Sequence, residues 1–195
     1  MIGIIGGFGD IGCEVVKSLW MMGYRNLLVG GRHNNDMFHT QTEIKYQYID
    51  LNKQVGIENF VKKCKIIINC SGLSCNMTRV LILKIKEHGC SYIEPQFNRL
   101  LKDIIPDRNI AFIQGVGSMP GLSGALPIYL SERFEEVNKI KIYYVGQGKF
   151  THRAAEDYLN GIEDSNNYSM VCYENGELIP NIDKTCEFTC FINIR

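Results

Sequence analysis

Short, nearly continuous apolar runs alternate with longer amphipathic stretches along the first two thirds of the chain. Met1–Ile5 reads as a strand. Ile11–Met22 reads as a helix, because Ile11, Val15 and Leu19, with Val16 and Trp20, recur at helical spacing while Glu14, Lys17 and Ser18 fall elsewhere. Gly23 stops it in the manner of a C-terminal glycine. Asn26–Val29 and Lys45–Ile49 are a second and a third strand. A helix is predicted from a cap at Asp50 or Asn52 to about Lys63. The run Lys65–Asn69 (KIIIN) reads as a buried strand, Met77–His88 as a helix closed by Gly89, and Ser91–Glu94 and Ala111–Gln114 as two more strands. These strands are too apolar to have one wet face. The alternation therefore predicts an α/β fold, a parallel sheet covered on both sides, doubly wound through right-handed crossovers.

The character changes near Gly121. Gly121–Arg133 is predicted as a helix with Pro127 in its early part, and Lys139–Gly146 (KIKIYYVG) alternates with period two as a strand with one polar face does. A short helix is predicted over Arg153–Leu159. Tyr168–Tyr173 and Leu178–Ile179 flank Asn175-Gly176 as the arms of a hairpin flank its turn. The division expected is thus a doubly wound domain over 1–120, then the start of a smaller α+β domain over 121–195.

Composition sharpens this in three ways. The chain has 195 residues, room for one full domain and part of a second. Lys plus Arg and Asp plus Glu number 21 each, a balance that gives no basic surface for a nucleic acid or an anionic membrane. No run approaches the roughly 20 apolar residues that span a bilayer, and the start lacks the charged n-region of a secretory leader, so a cytoplasmic protein is expected. The eight cysteines include no C-x-x-C pair. Several sit in apolar runs, as small buried hydrophobes do in a reducing compartment. Cys186 and Cys190 have no partner pair with which to hold zinc, so no metal is expected.

The candidate chemistry lies in the glycines. Gly7, Gly9 and Gly12 fit G-x-G-x-x-G, directly after a predicted strand and at the start of a predicted helix. In that setting Gly7 permits a tight turn, Gly9 lets a pyrophosphate approach the backbone, and Gly12 lets the helix pack closely on the strand. The free N–H groups of the helix start, at its positive end, would receive the phosphates. At the end of the second strand, where an NAD enzyme usually has a carboxylate, the chain reads Val29-Gly30-Gly31-Arg32-His33. Arg32 suits a 2′-phosphate, and Gly30 and Gly31 leave room for it, which favours NADP over NAD. Asp50 either bonds the adenine or caps the next helix. Ser71 and Gly72, after the KIIIN strand, pass over the ribose or the pyrophosphate, or form an ordinary turn.

In order and spacing, GGFGDIG, VGGR, YIDLN, IIINCSG, GCSYIEP, GVGSMPGLSG and GKFTHRAAEDYLNG resemble the saccharopine dehydrogenase (reductase-type) family, over about residues 1–160. The resemblance implies an NAD(P)-binding Rossmann domain followed by a mixed α/β domain for substrate and dimer contacts. It implies NADP-dependent interconversion of an imine and a secondary amine on an amino-acid-like substrate. Its cofactor residues would be Gly7, Phe8, Gly9, Asp10, Ile11, Gly12, Arg32, Asp50, Ser71 and Gly72. The loop Gly115–Gly124 would lie near the nicotinamide. Residues 121–195 are fewer than the family's second domain contains, so a partial or truncated substrate domain is expected. His152, Tyr92 and Glu94 are candidates for proton transfer and Arg153 for a substrate carboxylate, but none is assigned a catalytic role. The alternative is a non-enzymatic NAD(P)-binding sensor or an inactive family member. A short-chain reductase lacks its Tyr-x-x-x-Lys pair here, since neither Tyr92 nor Tyr129 has Lys four residues on.

Overall fold

In β1 (Ile2–Ile5) and β2 (Leu27–Gly31), neighbouring side chains point to opposite faces of one sheet, and each face has its own core. Ile4, Leu27 and Val29 join Val16 of helix α1 (Asp10–Met21) on one side. Ile5 and Leu28 face the other side, with Phe60 of α2 (Ile57–Val61) and Leu81, Ile82 and Ile85 of α3 (Cys75–Glu87). Burial on both faces explains why these strands are apolar throughout rather than alternating. The description comes from a computed structural model and covers residues 1–33, 38, 42–73, 75–97, 104, 109–138, 140, 142, 155, 159, 171–174 and 177–180.

The sheet is completed by β3 (Ile44–Tyr48), β4 (Ile66–Asn69), β5 (Ser91–Glu94) and β6 (Phe112–Gln114). Its order is β3-β2-β1-β4-β5-β6 with every pair parallel. That is the doubly wound α/β arrangement expected from the sequence, in the strand order of a Rossmann fold. The chain winds outward from β1 to β3, then crosses back to β4. A crevice therefore opens at the carboxyl ends of β1 and β4, where ligands bind in such sheets.

Phe60 anchors α2 to the sheet. Its ring lies over two strand glycines; a Cβ on Gly3 or Gly30 would come within 2.7 Å of it. The ring is fully buried, which contributes about 2–3 kcal/mol. This corrects the role expected of Gly30: its open face is filled by Phe60 and Ile49, so it leaves no room for a phosphate.

Three further differences have local causes. The helix predicted from Asp50 starts only at Ile57, because Asp50 and Val55 bond each other's backbone across a turn and Gly56 takes a left-handed φ of 75° before the first helical residue. On α1 the buried positions are Gly12, Cys13 and Val16, while Ile11 is 59% exposed. The expected helix near Gly121 is α4 (Leu122–Ser131), with Pro127 inside it, yet none of its residues is buried.

The chain folds as two compact units, Met1–Tyr144 and Val145–Arg195. The second contains the expected hairpin: β7 (Val171–Glu174) pairs antiparallel with β8 (Glu177–Pro180), with Glu174 opposite Glu177. The strand expected over Lys139–Gly146 lies outside the described residues, apart from Ile140 and Ile142. So does the helix expected over Arg153–Leu159, apart from Ala155 and Leu159, both helical. Among the described residues no helix is long and apolar enough to cross a membrane.

Candidate functional site

A cleft of about 480 Å³ opens at the carboxyl ends of β1, β2 and β4. Of the cofactor residues that the resemblance implies, Phe8, Gly9, Arg32, Asp50, Ser71 and Gly72 line it, and so does Gly31. Gly7 and Gly12 stand behind its wall, and Asp10 and Ile11 line a separate groove along the outer side of α1. No residue of Gly115–Gly124 lines the cleft.

The turn after β1 is built by missing side chains, with the tasks distributed differently from the expectation. The left-handed residue is Gly6, with φ 74°, not Gly7. A Cβ on Gly6 would lie 2.9 Å from the Ser71 backbone nitrogen, so Gly6 also lets the loops after β1 and β4 touch. Gly7 is needed against the Val29 side chain, which a Cβ would meet at 2.7 Å. A Cβ on Gly12 would run into the Gly6 carbonyl oxygen and lie 2.7 Å from Gly7 Cα, so the glycine seats α1 on the turn. Gly9 is different. Its φ of −77° and ψ of 168° suit any residue, and an added Cβ would meet only the Gly6 oxygen, at 3.3 Å. The protein's own demand for glycine is weaker there than at Gly6, Gly7 or Gly12. Gly9 is also the N-cap of α1 and supplies no side-chain cap. The first amides of α1 thus have neither an intrahelical partner nor a cap from Gly9, at the helix's positive end.

On the β2 side, Arg32 is exposed and forms an ion pair with no described residue. His33 lines the cleft beside it. Phe8 closes this end, its ring centroid 5.8 Å from that of Phe38 and 5.7 Å from that of Tyr46. Asp50 is buried, and its Oδ1 accepts the Asn52 and Lys53 backbone N–H groups at 3.0 and 3.2 Å. It therefore caps the turn after β3, not a helix.

The opposite wall begins at Ser71. Its backbone N–H and its hydroxyl both donate to Asn69 Oδ1. Asn69 Nδ2 donates to the Tyr92 hydroxyl at 2.8 Å, which donates to Glu94 Oε2 at 2.7 Å. Gln114 Nε2 donates to the other carboxylate oxygen of Glu94. Asn69, Tyr92 and Glu94 are all buried, and neither Tyr92 nor Glu94 lines the cleft. Burial raises the Glu94 carboxyl above its usual range, and the hydrogen bonds from Tyr92, Gln114 and Asn69 offset only part of this. Burial, together with the Glu94 charge, raises the Tyr92 hydroxyl far above the ordinary tyrosine value. Of the three candidates for proton transfer, Tyr92 and Glu94 are thus internal parts of the wall; His152, with Arg153, lies outside the described residues. Cys70 also lines the cleft, with its thiol pushed up to about 11 by burial, so it is a neutral surface. Cys13, Cys64 and Cys90 are free and buried, as expected for small core hydrophobes, and Cys70 is free and half-buried.

Reasoning from the sequence missed Gly6, His33 and the five-residue polar chain. Gly6 carries a signal, since it directly precedes the matched motif. The chain has none, because its members are 23 and 20 residues apart between strands and meet only through strand pairing.

No protein-family model matches the sequence, and no curated protein matches it. Solved structures do resemble the fold. The apo saccharopine dehydrogenase (L-Glu forming) from Saccharomyces cerevisiae superposes with a TM-score of 0.57 at 12% identity, over 68% of this chain and 30% of that one. A short-chain dehydrogenase/reductase (wide type) from Veillonella parvula DSM 2008, solved with NADP, gives 0.42 at 12% identity, over 48% of this chain and 45% of that one. The chain thus spans less than a third of the yeast enzyme's length, and the likeness is one of fold. The fold shared with the yeast enzyme is the Rossmann fold.

Proposed function

We propose that the cleft binds a nicotinamide dinucleotide, NADP in preference to NAD, for oxidoreductase chemistry on a small amino-acid-like substrate. The observation that carries this reading is Gly9: a glycine with ordinary backbone angles that meets only one backbone oxygen, at the uncapped start of a helix, lining a cleft at the switch point of the sheet. A pyrophosphate explains it, because a side chain there would keep phosphate oxygens from the amides of α1. Gly6 and Gly9 would admit the pyrophosphate, Arg32 would pair with a 2′-phosphate, and Ser71 and Gly72 would border the second ribose. The nicotinamide would supply or accept the hydride. The imine or secondary-amine substrate class extends the resemblance carried by the sequence motifs and the yeast enzyme's fold.

A second reading is coenzyme binding without hydride transfer. The burial of Tyr92 and Glu94 favours it, since it removes both from the cleft as acid or base. Turnover of NADPH with pairs of keto acids and amino acids decides between the two.

The binding reading is tested by titrating the purified chain with NADPH and NADH, then repeating with Arg32→Ala. NADPH is expected to bind more tightly, and the variant to lose about tenfold for NADPH alone, the worth of one charge-assisted contact. Equal affinity for both coenzymes in both proteins removes Arg32 from the site.

A further inference from the structure

Both protons of Ser71 point inward. Asn69 Oδ1 has none to give, so the bonds from the Ser71 N–H, at 3.1 Å, and from its hydroxyl have only one possible direction. Ser71 lines the cleft, and the hydrogen on its hydroxyl oxygen is already committed to Asn69. That oxygen can accept a hydrogen bond but cannot give one. A phosphate offers only acceptors at neutral pH, whereas a sugar hydroxyl offers a donor.

What holds the polarity is Glu94. With Asn69 Oδ1 turned to Ser71, its Nδ2 must donate to Tyr92 Oη, and the Tyr92 proton must then find a pure acceptor. Glu94 Oε2 is that acceptor, while Gln114 keeps Oε1 occupied. The direction of every bond from Gln114 to Ser71 is met by two accepting oxygens at position 94.

We propose that Glu94, acting through Tyr92 and Asn69, is a positioning residue that holds Ser71 Oγ as a hydrogen-bond acceptor and makes this edge of the cleft a subsite for a sugar hydroxyl rather than a phosphate. The inference rests on the dinucleotide reading, which it deepens. The sheet order assigns the sugar: with the pyrophosphate over β1 and the adenosine half toward β2 and Arg32, the β4 side meets the ribose of the nicotinamide half.

Glu94→Gln reverses the chain. Gln114 holds the new carbonyl, so the new amide donates toward Tyr92 Oη, which already receives Asn69. Relief requires Asn69 to flip, which sets its NH₂ against the Ser71 N–H and frees the Ser71 hydroxyl to donate. Wild type, Glu94→Gln, Ser71→Ala and the double variant are titrated with NADPH and with adenosine 2′,5′-bisphosphate, which lacks the second ribose. Each single variant is expected to lose about fivefold for NADPH, the worth of one hydrogen bond, and nothing for the bisphosphate. The double variant is expected to bind NADPH no more weakly than either single one. Equal losses for both ligands, wild-type NADPH affinity in Ser71→Ala, or additive losses overturn the inference while leaving the dinucleotide reading standing. A wild type that binds neither ligand overturns both. Should Glu94→Gln not fold, Ser71→Thr decides: it keeps the inward proton and the acceptor, so it must bind NADPH as wild type does while Ser71→Ala does not.

Discussion

The loop after β1 and the loop after β4 border the same cleft and are made in opposite ways. The first is shaped by what is missing: Gly6, Gly7 and Gly12 each stand where a Cβ would strike backbone or a core side chain. The second is shaped by what is present, a chain of polar side chains from Ser71 to Gln114 that satisfy one another. The first wall is a steric device, with its tolerances set by hard contacts. The second is electrostatic, and its free energy lies in the direction of its hydrogen bonds. Within the first wall Gly9 stands apart, because its Cβ would meet one backbone oxygen at 3.3 Å and no side chain, the mildest contact of the four.

These differences can be broken in turn. Gly12→Ala should do the most damage, since its Cβ meets the Gly6 carbonyl and Gly7 Cα, both backbone atoms. We expect a loss of about 3 kcal/mol in chemical unfolding, the upper end for overpacking a tight site. Near-wild-type stability would mean that α1 can slide off the turn.

Gly9→Ala should separate ligand from fold. Its backbone angles suit alanine, so unfolding should change by less than about 1 kcal/mol, while NADPH affinity falls at least about tenfold. An alanine variant that binds NADPH normally would leave the glycine without a ligand to explain it.

The smallest effect concerns the polar wall. The Glu94 carboxyl is raised by burial, so the folded state holds its proton more tightly than the unfolded chain does. Its contribution to stability is then complete below the ordinary value of 4.5 and is lost as pH rises through the raised value. Against Glu94→Gln, which does not titrate, the wild type should lose relative stability between pH 4.5 and neutrality, measured as the difference in Tm. A difference that grows with pH would mean that the hydrogen bonds outweigh burial.

How much of this was legible follows from the range of each interaction. The apolar runs identified all six strands of the parallel sheet; in β1 and β2 burial on both faces writes itself into consecutive residues, whereas the edge strands β3 and β6 contain no buried residue. The hairpin was legible from Asn175-Gly176 between two short runs. The start of α2 was not: the bond between Asp50 and Val55 competes with a helix cap, and both use the same residue types. Ile11 has helical spacing, but its place in the first turn of α1 leaves it beside solvent. At the site, G-x-G-x-x-G pointed to the right loop, but Gly6, one residue earlier, makes the left-handed turn. Gly30 looked like space for a phosphate and is the seat of Phe60, a neighbour 30 residues away that no local pattern reveals. Tyr92 and Glu94 drew notice as acids and bases; only their depth in the sheet identifies them as support.

The close approach at Gly6 has a practical corollary for engineering. Its backbone passes so near the Cys70–Ser71 backbone that the two loops behave as a matched pair. Transplanting a nucleotide-binding hairpin from another dehydrogenase onto this scaffold would fail at that junction unless the segment following KIIIN travels with it. Any recoding of coenzyme choice is better attempted at Arg32, whose side chain can be exchanged without disturbing that seam.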